Sequence, residues 1–181
     1  MSTRNLLGRL LCAGALALGV ANAGAQQSPG LGVEVTATDL APWDISIQPD
    51  GAGLPPGSGK AAAGAAIYAV KCVACHGAEG AGQPNDRLVG GQGTLTDFVQ
   101  VRTIGSYWPY ASTVFDYIRR AMPFQAPQSL TNDEVYALTA YLLERNGIIK
   151  ARDEMNARTL ARVRMPNRDG FILAYPQRTD R

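Results

Sequence analysis

Residues 72–76 read Cys72-Val73-Ala74-Cys75-His76, a single Cys-x-x-Cys-His motif. This spacing is the attachment signature of c-type haem, in which two thiols form thioether bonds with the haem vinyl groups and the adjacent histidine binds the iron. His76 is the only histidine in the chain, which excludes a metal cluster built from several histidines. A thioredoxin-like dithiol is the alternative, but such pairs accompany βαβ patterns, and the sequence has none. We therefore predict one covalent haem c, attached through Cys72 and Cys75, with His76 as an axial ligand of the iron.

The N-terminal segment carries the features of a secretory signal peptide. Arg4 and Arg9 supply positive charge, residues 10–20 form a short apolar run, and small residues at 21–25 offer cleavage sites. The apolar run is too short to span a bilayer, although a retained anchor remains the alternative. We expect residues 1–25 to be removed and the mature protein to be periplasmic, with no membrane span.

Composition divides the mature chain into three segments. Residues 26–59 are rich in proline and glycine and predict an extended N-terminal arm, residues 60–147 predict one helical domain, and residues 148–181 predict a C-terminal arm. The C-terminal arm is basic, because residues 145–181 hold 9 basic and 4 acidic side chains whereas residues 26–144 hold 6 and 11. Such an arm can lie on the acidic body or dock a partner. We expect no nucleic-acid partner for an exported haem protein.

Helical patterns predict an all-α domain. Residues 60–71 are rich in alanine, and Gly64 and Tyr68 stand one turn apart, where a glycine allows a second helix to approach closely. Residues 112–121 predict another helix, with Ser112 as its N-cap and an apolar face formed by Val114, Phe115 and Ile118.

The clearest helix signal begins at Thr131, which forms a capping box with Glu134, and ends before Gly147. Residues 95–102 and 151–163 are weaker helix candidates. The glycine-rich residues 77–93 predict a loop around the edge of the haem.

The second axial ligand of the iron is predicted to be a methionine, because no second histidine exists. Met122 ends a predicted helix, precedes Pro123 and lies in a loop that can present its sulfur opposite His76. Met165 is the alternative, Met155 fits poorly in a polar stretch, and an iron with an open sixth position is the remaining possibility. Histidine–methionine ligation favours ferrous iron and fills both axial positions, so the haem relays electrons instead of binding a substrate.

Two aromatic residues are candidates for contacts with the haem propionates. The phenol of Tyr107 and the indole N–H of Trp108 can each donate a hydrogen bond to a carboxylate, with plain core packing as the alternative. Four arginines are further candidates for the propionates or a partner, with a solvated surface role as the alternative: Arg87, Arg102, Arg119 and Arg120.

Residues 60–147 resemble class I cytochrome c. The resemblance rests on the spacing of Gly64, Tyr68 and Cys72, the Cys-x-x-Cys-His motif, the Met122-Pro123 loop and the last helix. It implies three to five helices around one haem, with the first and last helices crossing.

A narrower resemblance covers most of the mature chain, from about Trp43 to Phe171. Four stretches are similar to the cytochrome subunit of sulfite and sulfane dehydrogenases of the periplasmic sulfur-oxidation system: Pro49–Gly59, Ile104–Tyr110, Phe115–Phe124 and Met165–Phe171. Many of these subunits carry two haems, whereas this chain has one attachment motif.

This resemblance implies a partner subunit that carries molybdopterin and oxidises a sulfur compound. The haem would accept the electrons and pass them to a downstream soluble cytochrome c, and the chain itself would be a non-catalytic subunit of an oxidoreductase. A free-standing electron carrier, and a haem enzyme or gas sensor with an open sixth position, are the alternatives.

Overall fold

The computed structural model describes residues 30–172, 174 and 175. The predicted signal peptide, residues 1–25, lies outside the described residues. The chain divides into two units, Met1–Trp43 and Asp44–Arg181. In the first unit, the short helix α1 (Ala37–Leu40) begins with a capping box between Thr36 and Asp39. Among the described residues, no helix combines the length and the apolar character that a membrane span requires.

The regular elements of the second unit are mainly helices. Its elements, in chain order, are β1 (Ser58–Lys60), α2 (Ala61–Lys71), α3 (Val73–His76), α4 (Ala111–Ala121), α5 (Asn132–Arg145), β2 (Glu154–Asn156) and α6 (Ala157–Leu160). Two 3-10 turns, Ala78–Gly80 and Thr94–Thr96, lie between α3 and α4. The three stronger helix predictions therefore correspond to α2, α4 and α5.

Helices α2 and α5 pack against each other at a glycine. Gly64 is buried, and a Cβ atom placed on it would lie 1.9 Å from the carbonyl oxygen of Ala137 and 2.7 Å from Cβ of Tyr141. Any larger residue would therefore push the two backbones apart. One turn later Tyr68 is buried, and its ring centroid lies 5.2 Å from that of Tyr141. Gly64 and Tyr68 thus form the helix contact that their spacing predicts.

Helix α5 starts at the predicted capping box. The hydroxyl of Thr131 accepts a hydrogen bond from the Glu134 amide at 3.2 Å, and the Glu134 carboxylate accepts one from the Thr131 amide at 2.8 Å. The ammonium of Lys71 also donates to Glu134 at 2.8 Å, which ties the end of α2 to the start of α5. This bond is the main reason that the pKa of Glu134 is lowered. After α5, Gly147 adopts a φ of 70°, which stops the helix where the sequence predicts.

Helix α4 begins at Ala111, one residue before its predicted start, and Ser112 is not its N-cap. Tyr110 takes the N-cap position and its side chain makes no capping hydrogen bond. The hydroxyl of Ser112 is buried and donates to the carbonyl of Pro49 at 2.9 Å. Serine favours N-cap positions because its oxygen can accept hydrogen bonds from the first amides of a helix. Here the hydroxyl instead donates to a residue distant in sequence, and this bond fixes the orientation of the side chain. The apolar face of α4 is buried as predicted: Val114, Phe115 and Ile118.

The weaker prediction of a helix over residues 151–163 is wrong. Strand β2 pairs antiparallel with β1, placing Met155 opposite Gly59, and the short helix α6 follows. Asn156 separates the two elements, because its side-chain oxygen accepts from the amides of Arg158 and Thr159, each at 3.0 Å, and so starts a new helix. The described residues therefore form a helical domain, as predicted, with one small two-stranded sheet that the sequence analysis did not predict.

The prediction of a helix over residues 95–102 is also wrong. The structure has only the 3-10 turn Thr94–Thr96 at the start of this segment. The hydroxyl of Thr94 accepts from the Val101 amide at 3.0 Å and donates to the carbonyl of Gly91 at 2.8 Å. These bonds close a loop over this segment, and a loop closed by a threonine side chain competes with helix formation.

The segment before β1 packs on α4 and α5. Ile47 is buried, and the guanidinium of Arg120 donates to the carbonyl of Ile45 at 3.1 Å. The phenol of Tyr136 on α5 donates to the carbonyl of Pro55 at 2.8 Å. The part of the N-terminal arm that begins at Ile45 therefore packs along the helical domain. The boundaries of the two arms remain a prediction.

We expect Gly64→Ala to destabilise the protein by about 1–3 kcal/mol, the usual cost of overpacking, despite the higher helix propensity of alanine. The added methyl group must displace the carbonyl of Ala137. Urea denaturation of the haem-loaded protein measures this cost, and Ala63→Val is the control because Ala63 is exposed on the same helix. Equal stability of Gly64→Ala and the unmodified protein would contradict the close approach of α2 and α5.

Candidate functional site

The Cys-x-x-Cys-His motif lies at the end of helix α2. The Cys72 amide donates to the carbonyl of Tyr68 at 3.0 Å, so the motif starts on the last turn of that helix. The phenol of Tyr68 donates to the carbonyl of Gly77 at 2.9 Å, directly after His76. Burial raises the pKa of Tyr68 to about 12, so the phenol keeps the proton for this bond near neutral pH. Helix α2 thus fixes the motif at both of its ends.

A cavity of about 450 Å³ lies against this motif. Its volume is in the range of small-molecule and cofactor sites, roughly 300–1,000 Å³. The side chains of Cys72, Cys75, His76 and Met122 all line it. Seven of the other lining residues are aliphatic: Leu88, Ile104, Val114, Ile118, Leu130, Leu138 and Leu142. The buried faces of α4 and α5 therefore serve both as core and as cavity wall.

The loop after the motif fixes the tautomer of His76. Nδ1 of the imidazole lies 2.9 Å from the carbonyl oxygen of Asp86, and because a carbonyl only accepts, Nδ1 carries the proton. Nε2 then has a lone pair available for a metal. The amides of Gly82 and Asn85 donate to the carbonyls of His76 and Cys75, each at 2.8 Å, so this loop folds back on the motif.

The residues present fit a haem c. The cavity offers two thiols at the attachment spacing, an imidazole held in the ligating tautomer, a thioether and an apolar wall. Burial raises the pKa of the Cys72 thiol to about 11, so the uncharged thiol is the form that the apolar surroundings favour. Within the described residues, no group of three or more histidine, cysteine or acidic side chains could hold a metal ion in another way.

The structure separates the three candidate methionines. Met122 ends α4 and lines the cavity. Met155 and Met165 are 4% and 1% exposed and belong to the hydrophobic core, and neither is part of the cavity wall. Met122 is therefore the methionine that the fold brings into the same cavity as His76.

Asn146 fastens the loop that covers the motif, and the sequence analysis did not single it out. Its side-chain amide donates to the carbonyls of Leu88 and Leu142 at 3.2 and 2.8 Å, and its oxygen accepts from the Gly90 amide at 3.0 Å. Leu88 and Leu142 both line the cavity. An asparagine at the end of a helix predicts a cap, but the sequence gives no sign that it holds a loop more than 50 residues earlier.

The two aromatic candidates occupy different positions. Trp108 lines the cavity, and its ring lies edge-on to that of Tyr117 with centroids 5.7 Å apart. Tyr107 is 36% exposed, lies outside the cavity wall and packs against Arg102 and Phe171. The structure therefore brings Trp108, but not Tyr107, to the wall of the cavity.

The four candidate arginines differ in whether they line the cavity. Arg87 and Arg102 line the cavity. Arg119 lies outside the cavity wall, and Arg120 is engaged by Asp116 at 3.0 Å and by the carbonyl of Ile45.

Comparisons with known proteins agree with this geometry. Residues 59–142 match the family model described as cytochrome c oxidase, cbb3-type, subunit III. The chain is also similar to a chain in the crystal structure of the sulfane dehydrogenase SoxCD from Paracoccus pantotrophus, with 44% sequence identity and a TM-score of 0.76. The match covers 84% of this chain and 74% of that chain. Among curated proteins, none is significantly similar.

We expect Asn146→Ala to loosen the loop that covers the motif. The amide of Gly90 loses its partner, and a buried group left without a hydrogen bond costs about 1–3 kcal/mol. The carbonyls of Leu88 and Leu142 each lose one hydrogen bond but keep a second one, from the amides of Ile104 and residue 146. Hydrogen exchange at the Gly90 amide should accelerate. Asn132→Ala is the control, because the side-chain amide of Asn132 donates one exposed hydrogen bond, to the carbonyl of Pro56. Unchanged exchange at Gly90 would show that Asn146 does not hold this loop.

Proposed function

This chain belongs to the cytochrome c family and, within it, is a relative of the sulfane dehydrogenase SoxCD; from that premise we propose that it is a periplasmic, monohaem electron-transfer subunit. In this proposal it accepts electrons from a molybdopterin-containing sulfite or sulfane dehydrogenase subunit and passes them to a downstream cytochrome c. The observation that carries the proposal is the meeting of two thiols, one imidazole and one thioether in an apolar cavity.

The bound haem c supplies a reversible one-electron change at its iron. Cys72 and Cys75 would hold it covalently, and His76 and Met122 would bind its iron. His76 is oriented by its bond to Asp86, so Nε2 stays directed to one position through the redox cycle. The aliphatic side chains on the wall would lower the polarity around the iron, which raises the reduction potential by disfavouring the additional positive charge of ferric iron.

Electron entry and exit need a contact surface beside the cavity. Phe124 and Tyr117 line the cavity and are 77% and 50% exposed, so apolar surface lies at the cavity mouth. Exposed aromatic surface favours docking of another protein. We propose that the dehydrogenase subunit or the downstream cytochrome c contacts this mouth.

We expect Met122→Ala to keep its covalent haem but to lose the thioether-to-iron charge-transfer band of the oxidised protein. Its reduction potential should fall, because the neutral sulfur favours ferrous iron. Optical spectroscopy and a redox titration measure both effects.

Met165→Ala is the matched control, since Met165 is buried in the core away from the cavity wall. This variant should lose about 2–5 kcal/mol of stability through the void it leaves, and keep the band. The reverse pattern, with the band kept in Met122→Ala and lost in Met165→Ala, would move the axial ligand to Met165.

Purification of the tagged protein from its own cells under mild conditions tests the function as a whole. The proposal expects a co-purifying subunit that contains molybdenum, and reduction of the haem when sulfite or a sulfane-sulfur compound is added. Purification of a single chain whose haem these compounds leave oxidised would favour a free-standing carrier. A high-spin spectrum that shifts with carbon monoxide would favour a haem enzyme or gas sensor.

A further inference from the structure

Two of the stretches that carry the narrower resemblance contact each other. One is Ile104–Tyr110, which contains the cavity residue Trp108, and the other is Met165–Phe171 near the C-terminus. The proposed electron transfer assigns no role to Met165–Phe171. Three of its side chains, however, contact the residues that flank Trp108.

Three side chains of the C-terminal stretch hold these flanking residues. The side-chain amide of Asn167 donates to the backbone carbonyl of Tyr107 at 2.8 Å. The ring of Phe171 lies edge-on to the ring of Tyr107, with centroids 5.2 Å apart. The guanidinium carbon of Arg168 lies 4.4 Å from the ring centroid of Tyr110, within the range of a cation–π contact.

The C-terminal stretch is itself anchored to the core. Met165 is 1% exposed and belongs to the hydrophobic core. Its carbonyl accepts from the Arg168 amide at 3.1 Å, and the carbonyl of Asn167 accepts from the Gly170 amide at 3.2 Å. The stretch is thus a turn that begins on a buried methionine and directs Asn167 and Arg168 towards residues 107–110.

On the other side of this contact, Trp108 faces the cavity. It lines the wall together with Tyr117 and packs edge-on against that ring. Because Tyr107 is held one residue before Trp108 and Tyr110 two residues after it, the backbone of Trp108 is fixed from both directions.

We propose that Met165–Phe171 is a strap that positions Trp108 on the wall of the haem cavity. By holding Trp108 in place, the strap keeps water from this part of the cavity and raises the reduction potential of the haem. Asn167, Arg168 and Phe171 are positioning residues, because they act through Tyr107 and Tyr110 and do not line the cavity themselves. The inference rests on the proposed haem site.

The fluorescence of Trp108 tests the strap directly. The chain has two tryptophans, so a Trp43→Phe background leaves Trp108 as the only tryptophan, which can be excited selectively over the tyrosines. A nearby haem quenches tryptophan by energy transfer that falls steeply with distance, and emission therefore reports the separation of Trp108 from the cofactor. In this background, Asn167→Ala and Arg168→Ala should each raise the emission of the haem-loaded protein and lower its reduction potential.

Two further variants separate positioning from a general loss of charge or stability. Arg164→Ala removes the same charge one residue before the strap. Arg164 pairs with Asp169 at 2.7 Å and both side chains are exposed, so the Trp108 emission and the reduction potential of this variant should not change. Arg168→Lys keeps a cation near Tyr110 and should restore most of the quenching.

Unchanged emission and potential in both Asn167→Ala and Arg168→Ala, with covalent haem present, would overturn the strap and leave the proposed function intact. Equal changes in Arg164→Ala would also overturn it, because the effect would then come from charge alone. A purified chain with no covalent haem would overturn the proposed function and the strap together.

Discussion

Helices α2 and α5 approach each other so closely at Gly64 that one added carbon would lie 1.9 Å from the carbonyl oxygen of Ala137. This approach places the last turn of α2, and therefore the Cys-x-x-Cys-His motif, beside the face of α5 that carries Leu138 and Leu142. Because these leucines line the cavity, the helix crossing determines both the position of the thiols and the wall that they face. A wider crossing would separate the attachment points from the apolar surface that is to cover the cofactor.

Three further segments close the cavity, and hydrogen bonds hold each one. The loop after the motif is held by His76 and Asn146, which bind carbonyls of Asp86 and Leu88. The end of α4 brings Met122 to the cavity, and the stretch that contains Trp108 contacts the C-terminal strap. Each of these segments also contributes an apolar side chain to the cavity wall: Leu88, Met122 and Trp108. The cavity thus has many apolar side chains on its wall, and hydrogen bonds of the surrounding segments set its shape.

Local signals in the sequence predict much of this arrangement. The capping box at Thr131 and Glu134, the stop at Gly147 and the close packing at Gly64 depend on neighbouring residues or one helix turn, and the structure contains all three. Ser112 is different, because its hydroxyl binds Pro49, 63 residues earlier, and residue type alone cannot distinguish that partner from a cap. The pairing of β1 with β2, and the hydrogen bond between Asn146 and Gly90, likewise join residues distant in sequence.

The site residues follow the same division. The thiols and His76 are recognisable from their spacing, whereas the role of Met122 depends on which methionine the fold brings to the cavity.

The central claim is that one haem occupies this cavity between His76 and Met122. The most direct measurement is a methyl NMR spectrum of the reduced protein labelled in its methionine methyl groups, with Met122 assigned from a Met122→Leu variant. A methyl group bound through sulfur to haem iron lies over the porphyrin and is shifted far upfield by its ring current. The account predicts this shift for Met122 and ordinary positions for Met155 and Met165. Ordinary positions for all three methyl groups, or an upfield shift of Met165 in place of Met122, would contradict it.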